Sequence, residues 1–353
     1  MKRKISFVIT CLLRSGAERV VALLAEHCFE QGYDVEIIML LYPGIEFKVS
    51  EGIAVLDYSG GTDSRLKRIP YWLSHLRKHF KQRQPDVIVS FIARINVLTL
   101  LSLPKGQTKV IVSERNDPRH DSRTFITRAL VNLLYPKADA VVFQTKEVMR
   151  FFSKKIQRKG TVIPNPIQLS AFADLTDYDP ERICFAGRYS EQKDVPTLID
   201  AAEIVAKIRP QVKFELYGTG PLKTALEEMV REKGLEQNVL LHDNTPEIVE
   251  IMRKSRLFVL TSRYEGMSNA LLEASYSGVP CLTTPVLGSD VIVEGENGYF
   301  FDVGDARHLA ELILACFDEE RYRALRARSI EMAKACEHED VFQQWMELFS
   351  ARA

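Results

Sequence analysis

Residues 257–274 read Leu-Phe-Val-Leu-Thr-Ser-Arg-Tyr-Glu-Gly-Met-Ser-Asn-Ala-Leu-Leu-Glu-Ala. Leu257–Thr261 is a continuous apolar run, the signature of a parallel strand covered on both faces. The segment from Ser268 reads as the start of a helix. Ser268 is a good N-cap, with Asn269 as the alternative. The amides of Asn269, Ala270 and Leu271 then lack intrahelical partners. They point outward at the positive end of the helix dipole, where a phosphate is favoured. Glu265 precedes the helix in a loop with Gly266 and Met267, and Glu273 lies about one turn inside it. A carboxylate accepts hydrogen bonds bidentately from vicinal hydroxyls, so each Glu suits a sugar ring. The bland alternative is a capped helix with two solvated glutamates.

The strand-to-helix step recurs along the chain. In the first half, apolar runs fall at Ile5–Thr10, Val35–Leu41, Val87–Ile92, Lys109–Ser113 and Ala140–Thr145. Helical patterns lie between them at Ala17–Gly32, Leu66–Gln84, Ile95–Leu103, Arg123–Tyr135 and Lys146–Lys155. The second half repeats the plan. Its strands are expected at Arg182–Ala186, Lys213–Tyr217, Val239–His242, Leu257–Thr261, Pro280–Thr284 and Tyr299–Asp302. Its helices are expected at Val195–Ile208, Pro221–Gly234, Pro246–Lys254, Ser268–Ser277, Ala306–Phe317 and Glu320–Ala335. Such alternation implies an α/β fold with a doubly wound sheet in each half. Pro164-Asn165-Pro166 breaks any helix and favours an extended connector, which puts a hinge at about residues 165–180. The domains are therefore 1–165 and 166–353, with a cleft expected at the carboxyl ends of their strands.

The 353 residues and 40.2 kDa fit two domains. With 46% hydrophobic and 27% charged residues, the chain is globular rather than disordered, collagenous or coiled-coil. No apolar stretch is long enough for a spanning helix. Ile5–Leu13 is short and is followed by Arg14 and Glu18, so it reads as a buried first strand rather than a leader. Cys11, Cys28, Cys184, Cys281, Cys316 and Cys336 form no Cys-x-x-Cys pair and are expected as free thiols in a reducing cytosol. The net charge of zero hides an asymmetry. Residues 1–170 hold 27 Lys and Arg against 15 Asp and Glu, while the rest hold 20 against 32. That is +12 facing −12, a pattern of anionic-surface binding or of two domains that simply differ in surface charge.

Three further loops stand out. Gly187–Arg188 and Lys193 follow the first strand of the second half. Glycine allows close approach, Arg gives a bidentate fork, and Lys a point charge. Together they can neutralise a leaving diphosphate without a metal. Gly218-Thr219-Gly220-Pro221 joins a strand to a helix, and reads blandly as a turn with Pro at N1. It lacks the third Gly of a dinucleotide fingerprint. Ser15-Gly16-Ala17-Glu18-Arg19 could also approach a phosphate. Asp177-x-Asp179 sits in the hinge, and the seven histidines (His27, His75, His79, His120, His242, His308, His338) form no ligand-like cluster. No metal and no cofactor is expected.

These pieces together resemble the retaining glycosyltransferases of family four, which have the GT-B fold of two Rossmann-like domains facing a central cleft. The resemblance spans the chain. It rests on Glu265-x7-Glu273, Gly187–Arg188 with Lys193, Ser15–Arg19, Pro164–Pro166, Gly278-Val279-Pro280 and Glu296-Asn297-Gly298. It implies an acceptor-binding first domain and a nucleotide-sugar-binding second domain, with the last helix packing back on the first. It also implies that Glu273 binds ribose and that Arg188, Lys193 and the amides of Ser268–Leu271 hold a diphosphate. Glu265 would contact the donor sugar and position it for front-face attack, and Gly16 would let the first domain close over the phosphates; Gly218 is a further substrate-binding candidate. Many relatives carry a His after the fifth strand. Here Ser113-Glu114-Arg115-Asn116-Asp117-Pro118 stands there, similar to a polysaccharide-assembly subgroup that often uses N-acetylhexosamines. Glu114 and Arg115 are thus acceptor-side candidates, and the proton acceptor is either Glu114 or a donor phosphate oxygen.

The expected activity is transfer of a hexose or N-acetylhexosamine from a UDP-sugar to a hydroxyl of a lipid-linked saccharide, in surface polysaccharide or glycan assembly. The alternatives are a sugar-nucleotide epimerase of the same fold or a non-catalytic two-lobed sugar-binding protein. No nucleic acid is expected as partner. Residues 65–83 carry seven Lys or Arg and no acid, with Leu66, Ile69, Leu73, Leu76 and Phe80 at helical spacing. The expectation is a basic amphipathic helix, with Arg77, Lys78 and Lys81 on an anionic membrane surface. The protein would then be cytoplasmic and peripheral on the inner face of the plasma membrane. The competing reading packs the apolar stripe on the sheet and leaves a solvated basic face.

Overall fold

The computed structural model describes residues 2–13, 16–60, 65–104, 106, 108–120, 124–167, 177–335 and 341–350. They fall into two compact units, Met1–Pro166 with Glu339–Ala353, and Ile167–His338. Ser15, Cys336 and most of the expected hinge lie outside the described residues.

The first unit begins β1 (Lys4–Ile9), α1 (Gly16–Glu30), β2 (Asp34–Met39), β3 (Ala54–Asp57), α2 (Arg65–Arg83) and β4 (Val87–Phe91). It continues with α3 (Ala93–Ser102), β5 (Lys109–Ser113), α4 (Phe125–Leu134) and β6 (Ala140–Phe143). The short α5 (Lys146–Arg150) and α6 (Lys154–Gln157) precede β7 (Gly160–Val162). The seven strands are parallel in the order β3-β2-β1-β4-β5-β6-β7. Alternation along each strand sorts side chains between the faces. Ile5, Phe7 and Ile9 pack with Val20, Leu24, Val35 and Ile37 on the α1 face. Val8 packs with Ile38, Ile88, Ile95 and Leu98 on the α2–α3 face.

The second unit contains β8 (Asp179–Ala186), α7 (Val195–Ile208), β9 (Lys213–Tyr217), α8 (Lys223–Glu232), β10 (Val239–His242) and α9 (Ile248–Arg253). Then come β11 (Ser255–Leu260), α10 (Asn269–Tyr276), β12 (Cys281–Thr283), β13 (Gly298–Phe300), α11 (Ala306–Ala315) and α12 (Glu319–Ala335). Its six parallel strands run in the order β10-β9-β8-β11-β12-β13. The last helix, α13 (Val341–Ser350), belongs to the first unit, where Trp345 and Phe349 join the cluster around Phe7 and Phe91. The five described cysteines are free and buried.

Three expectations need correction. β3 and β7 were not anticipated, because both are short edge strands that remain partly exposed and so lack a continuous apolar run. The single helix expected at Lys146–Lys155 is two helices. Phe152 turns inward to stack on Tyr135 and pack on Phe143, and the chain restarts its helix at Ser153. The stripe on α2 turns mainly to the sheet, as its competing reading has it. Leu76 and Phe80 of the stripe are buried there with Trp72, while Ile69 stays 49% exposed. Arg77, Lys78 and Lys81 remain exposed as a basic face.

Trp345 is fully buried, with its ring centroid 6.0 Å from that of Phe91 and 5.7 Å from that of Phe349. Trp345→Ala should therefore lower the stability of the first unit by about 3–5 kcal/mol. Calorimetry should show its unfolding transition moving to lower temperature. An unchanged transition would mean that α13 does not hold the unit together.

Candidate functional site

In an open parallel sheet, ligands bind beyond the carboxyl ends of the strands, where the strand order reverses. In the second unit that point lies between β8 and β11, since β9 and β10 extend the sheet to one side and β12 and β13 to the other. The loops leaving β8 and β11 there carry Gly187–Lys193 and Thr261–Ser268.

The β8 loop is fixed against the β9 loop largely by backbone. Gly187 N donates to Tyr217 O at 3.0 Å, and Tyr189 N to Thr219 O at 3.0 Å. A Cβ on Gly218 would lie 2.0 Å from Gly187 O, and one on Gly220 2.4 Å from Tyr189 O. Only glycine permits this approach. The Tyr189 hydroxyl donates to Leu216 O at 2.6 Å, which locks the ring beneath the loop. Arg188 is left exposed and forms no ion pair among the described residues.

The β8 loop meets the β11 loop through side chains. Lys193 Nζ lies 2.6 Å from Glu265 Oε1, with side chains only 14% and 9% exposed. Ser262 Oγ donates to the same oxygen at 2.7 Å, and Gln192 Nε2 donates to Tyr264 O at 2.9 Å. The backbone joins in, with Arg263 N donating to Gln192 O at 2.8 Å. Asp194 has φ +47°, a left-handed conformation that turns the chain into α7. Its carboxylate accepts from Arg263 Nη2 at 3.0 Å and from Thr197 Oγ1 at 2.9 Å. Thr261 Oγ1 donates to Lys193 O at 2.7 Å. Sequence reasoning found Lys193 and Glu265 but missed Gln192, Asp194, Thr261 and Ser262. These are ordinary loop residues whose roles depend on two loops distant in sequence.

Helix α10 starts where expected. Ser268 is the N-cap, its Oγ accepting from Leu271 N at 3.4 Å, and Leu272 N makes a bond to Ser268 O at 3.1 Å. The positive end of the helix therefore lies at Ser268–Ala270, next to Gly266 and Met267. Gly288, at φ +73°, packs against Met267, where a Cβ would come within 2.9 Å of Met267 Cα. Glu265 is 7% exposed and Glu273 3%. Neither is a solvated surface glutamate, so the bland reading of this motif is excluded.

The first-unit candidates sit at the carboxyl ends of their own sheet. Gly16 opens α1. Glu114 is buried and accepts from the Tyr135 hydroxyl, which itself accepts from Asn96 Nδ2 at 2.9 Å. Arg115 is buried between the rings of Phe91 and Trp345, 5.4 and 5.6 Å from their centroids. Its Nη1 donates to Asn165 Oδ1 at 2.6 Å. Burial pushes the Arg115 guanidinium down to about 9. Ile92, which follows β4, has φ +73°, a strained conformation for a β-branched residue. Nothing in the sequence signalled it. Among the described residues no group of His, Cys, Asp and Glu is arranged to hold a metal ion.

Comparison with known proteins gives a consistent picture. The family model "Glycosyl transferases group 1" matches residues 168–335, and "Glycosyltransferase Family 4" matches residues 14–171. The N-acetyl-alpha-D-glucosaminyl L-malate synthase of Bacillus anthracis is 33% identical over 94% of this chain and 92% of its own. A Campylobacter jejuni N-acetylgalactosaminyltransferase, named for an undecaprenol-diphosphate-linked acceptor, is 26% identical over 94% of this chain and 95% of its own. Among solved structures, S. aureus TarM in complex with UDP aligns at TM-score 0.82 and 13% identity, covering 99% of this chain and 100% of that one. Anabaena HepE in complex with UDP and glucose aligns at 0.81 and 18%, covering 99% and 100%. The two parallel Rossmann-like units are those of the GT-B fold.

Gly218→Ala should force the β8 and β9 loops apart and destabilise the second unit by about 1–3 kcal/mol, the usual range for overpacking. Thermal unfolding of the variant checks this. A wild-type melting temperature would show that the loops accommodate the methyl.

Proposed function

Because the chain belongs to the group 1 and family 4 glycosyltransferases, we propose that it moves a hexose or N-acetylhexosamine from a UDP-sugar to a hydroxyl of a lipid-linked saccharide, with retention of configuration. The observation that carries this reading is the Lys193–Glu265 contact at the mouth of α10, with Glu273 buried one turn inside the helix. The names of the relatives support the sugar class, the name of the Campylobacter relative supports the acceptor class, and the UDP complexes of the structural neighbours support the nucleotide. The acceptor would place the protein at the inner face of the plasma membrane. No described helix is long and apolar enough to cross a membrane.

The roles follow from charge and position. Glu273 takes the ribose hydroxyls. Arg188, Lys193 and the amides at the start of α10 hold the diphosphate as negative charge grows on it. Glu265 takes hydroxyls of the donor sugar, and Ser262 and Gln192 keep its carboxylate aimed. Gly218 and the Gly266–Met267 backbone leave room for the ligand, while Gly16, Glu114 and Arg115 belong to the acceptor side. The anomeric carbon–oxygen bond to the diphosphate breaks as the acceptor oxygen attacks from the same face. The acceptor proton passes to an oxygen of the departing diphosphate, because Glu114 is already engaged by Tyr135.

A panel of UDP-, GDP- and ADP-sugars should show selective thermal stabilisation by the UDP compounds. Glu273→Gln should weaken that stabilisation, whereas Glu265→Gln should mainly lower turnover. Activity should survive EDTA, and losing Arg188 or Lys193 should each cost on the order of 10²–10³ in rate. Product anomers read by NMR test retention. Wild-type kinetics in both glutamate variants, or activity abolished by EDTA and restored by manganese, would overturn the assignment.

A further inference from the structure

Helix α4 is apolar on both sides. Val131 and Leu134 point into the unit and are buried. Phe125, Ala129 and Leu133 follow one another at i, i+4 and i+8, which aligns them on the opposite face with Ile126 beside them. That face is in solvent: Phe125 is 86% exposed, Ile126 68% and Leu133 64%. Phe151, which precedes α6, is a further apolar side chain left 51% exposed, with the Arg119 guanidinium 5.2 Å from its ring centroid. Three large apolar side chains on one exposed stripe of a ten-residue helix are not scattered surface residues; they mark an interaction site.

The surroundings say what would cover it. Arg128 lies on α4 itself, and Arg150, Lys154, Lys155 and Arg158 are exposed in the segment of chain that includes Phe151. Helix α6 touches the turn at Tyr135–Lys137 that ends α4, and Lys159 Nζ donates to Ala138 O at 3.1 Å. The basic segment is therefore pinned to the end of the apolar stripe. The exposed acid in it, Glu147, is 3.7 Å from Arg150. An apolar stripe flanked by cations matches an anionic bilayer surface, where the rings enter the acyl boundary and the cations meet lipid phosphates. Phe125 and Ile126 also open α4, just after the loop leaving the carboxyl end of β5, the edge of the sheet where ligands of this fold bind.

We infer that α4, through Phe125, Ile126 and Leu133, is the element that seats the first unit on an anionic membrane, in place of α2. The inference deepens the reading above and rests on it for the purpose of the contact. The contact itself is measured without any saccharide. Sedimentation of the full chain with vesicles of phosphatidylglycerol and phosphatidylcholine in equal parts should show binding, and vesicles of phosphatidylcholine alone far less. The triple variant Phe125→Ser, Ile126→Ser, Leu133→Ser should bind at least about a hundredfold more weakly. Its stabilisation by UDP should match wild type, which separates this test from that of the nucleotide site. The α2 variant Arg77→Glu, Lys78→Glu, Lys81→Glu should keep most of the binding. Wild-type sedimentation by the α4 variant, or loss of it by the α2 variant alone, overturns the inference. So does equal binding to neutral vesicles, or a wild-type chain that self-associates through this face and ignores vesicles.

Discussion

The candidate site of the second unit is organised around the Lys193–Glu265 pair, which, with the Arg263–Gln192 backbone bond and the Arg263–Asp194 ion pair, closes the gap left where the order of its parallel strands reverses. Strands that end on one edge deliver their loops to one place, but nothing in a sheet ladder holds the loops beyond β8 and β11 together. The pair does this at 2.6 Å in a site largely shielded from water. A shielded ion pair offsets its desolvation only when its remaining hydrogen-bonding capacity is met. Here Ser262 and Gln192 also bond to Glu265, and Thr261 ties the Lys193 backbone to the start of the β11 loop. The result is a carboxylate and an ammonium held in fixed positions by the fold, as the proposed function needs. Preorganisation of this kind is what electrostatic catalysis requires, since no reorientation remains at the moment charge develops.

Around that pair the constraint becomes one of space. Gly187, Gly218, Gly220 and Gly288 sit where one backbone runs against another, and a methyl at Gly218 or Gly220 would strike a carbonyl oxygen. The loops therefore form a floor of peptide groups with few side chains. Arg188 stands exposed on the β8 loop, and α10 begins at Ser268 at the end of the neighbouring β11 loop. Cations and a helix dipole beside a surface of amides suit the extended anion of the proposed function.

The parts of the architecture readable from sequence are those governed by local pattern. β1, β4, β5 and β11 are buried on both faces, so each shows as an unbroken apolar run, and Ser268 announces the helix it caps. What escaped is what local pattern does not encode. β3 and β7 are edge strands with mixed exposure. The stripe on α2 carries the same periodicity whether it meets a sheet or a membrane, and only packing shows that Trp72 and Phe80 meet the sheet. The helical pattern of α4 was seen, but not that its two faces are both apolar and only one is buried. At the site, Glu265 and Glu273 could be read from their spacing, whereas Asp194 matters through a left-handed turn and a reach to Arg263 across the switch point.

The first unit is organised around a different cation. Arg115 stands at the end of β5 and touches Phe91 from β4, Trp345 from α13 and Asn165 from the Pro-Asn-Pro segment. Gln144, just past β6, also donates to Asn165 Oδ1, at 2.9 Å. The chain thus leaves this unit and returns to it beside one guanidinium. Arginine suits the position better than lysine, because a planar guanidinium can lie against aromatic rings while directing an N–H to Asn165 Oδ1. The low polarity that pulls the Arg115 pKa down also strengthens its bond to Asn165. A side chain held between two rings and an amide is a good anchor, which gives the Ser-Glu-Arg-Asn-Asp-Pro run a structural reason to exist apart from any contact with substrate.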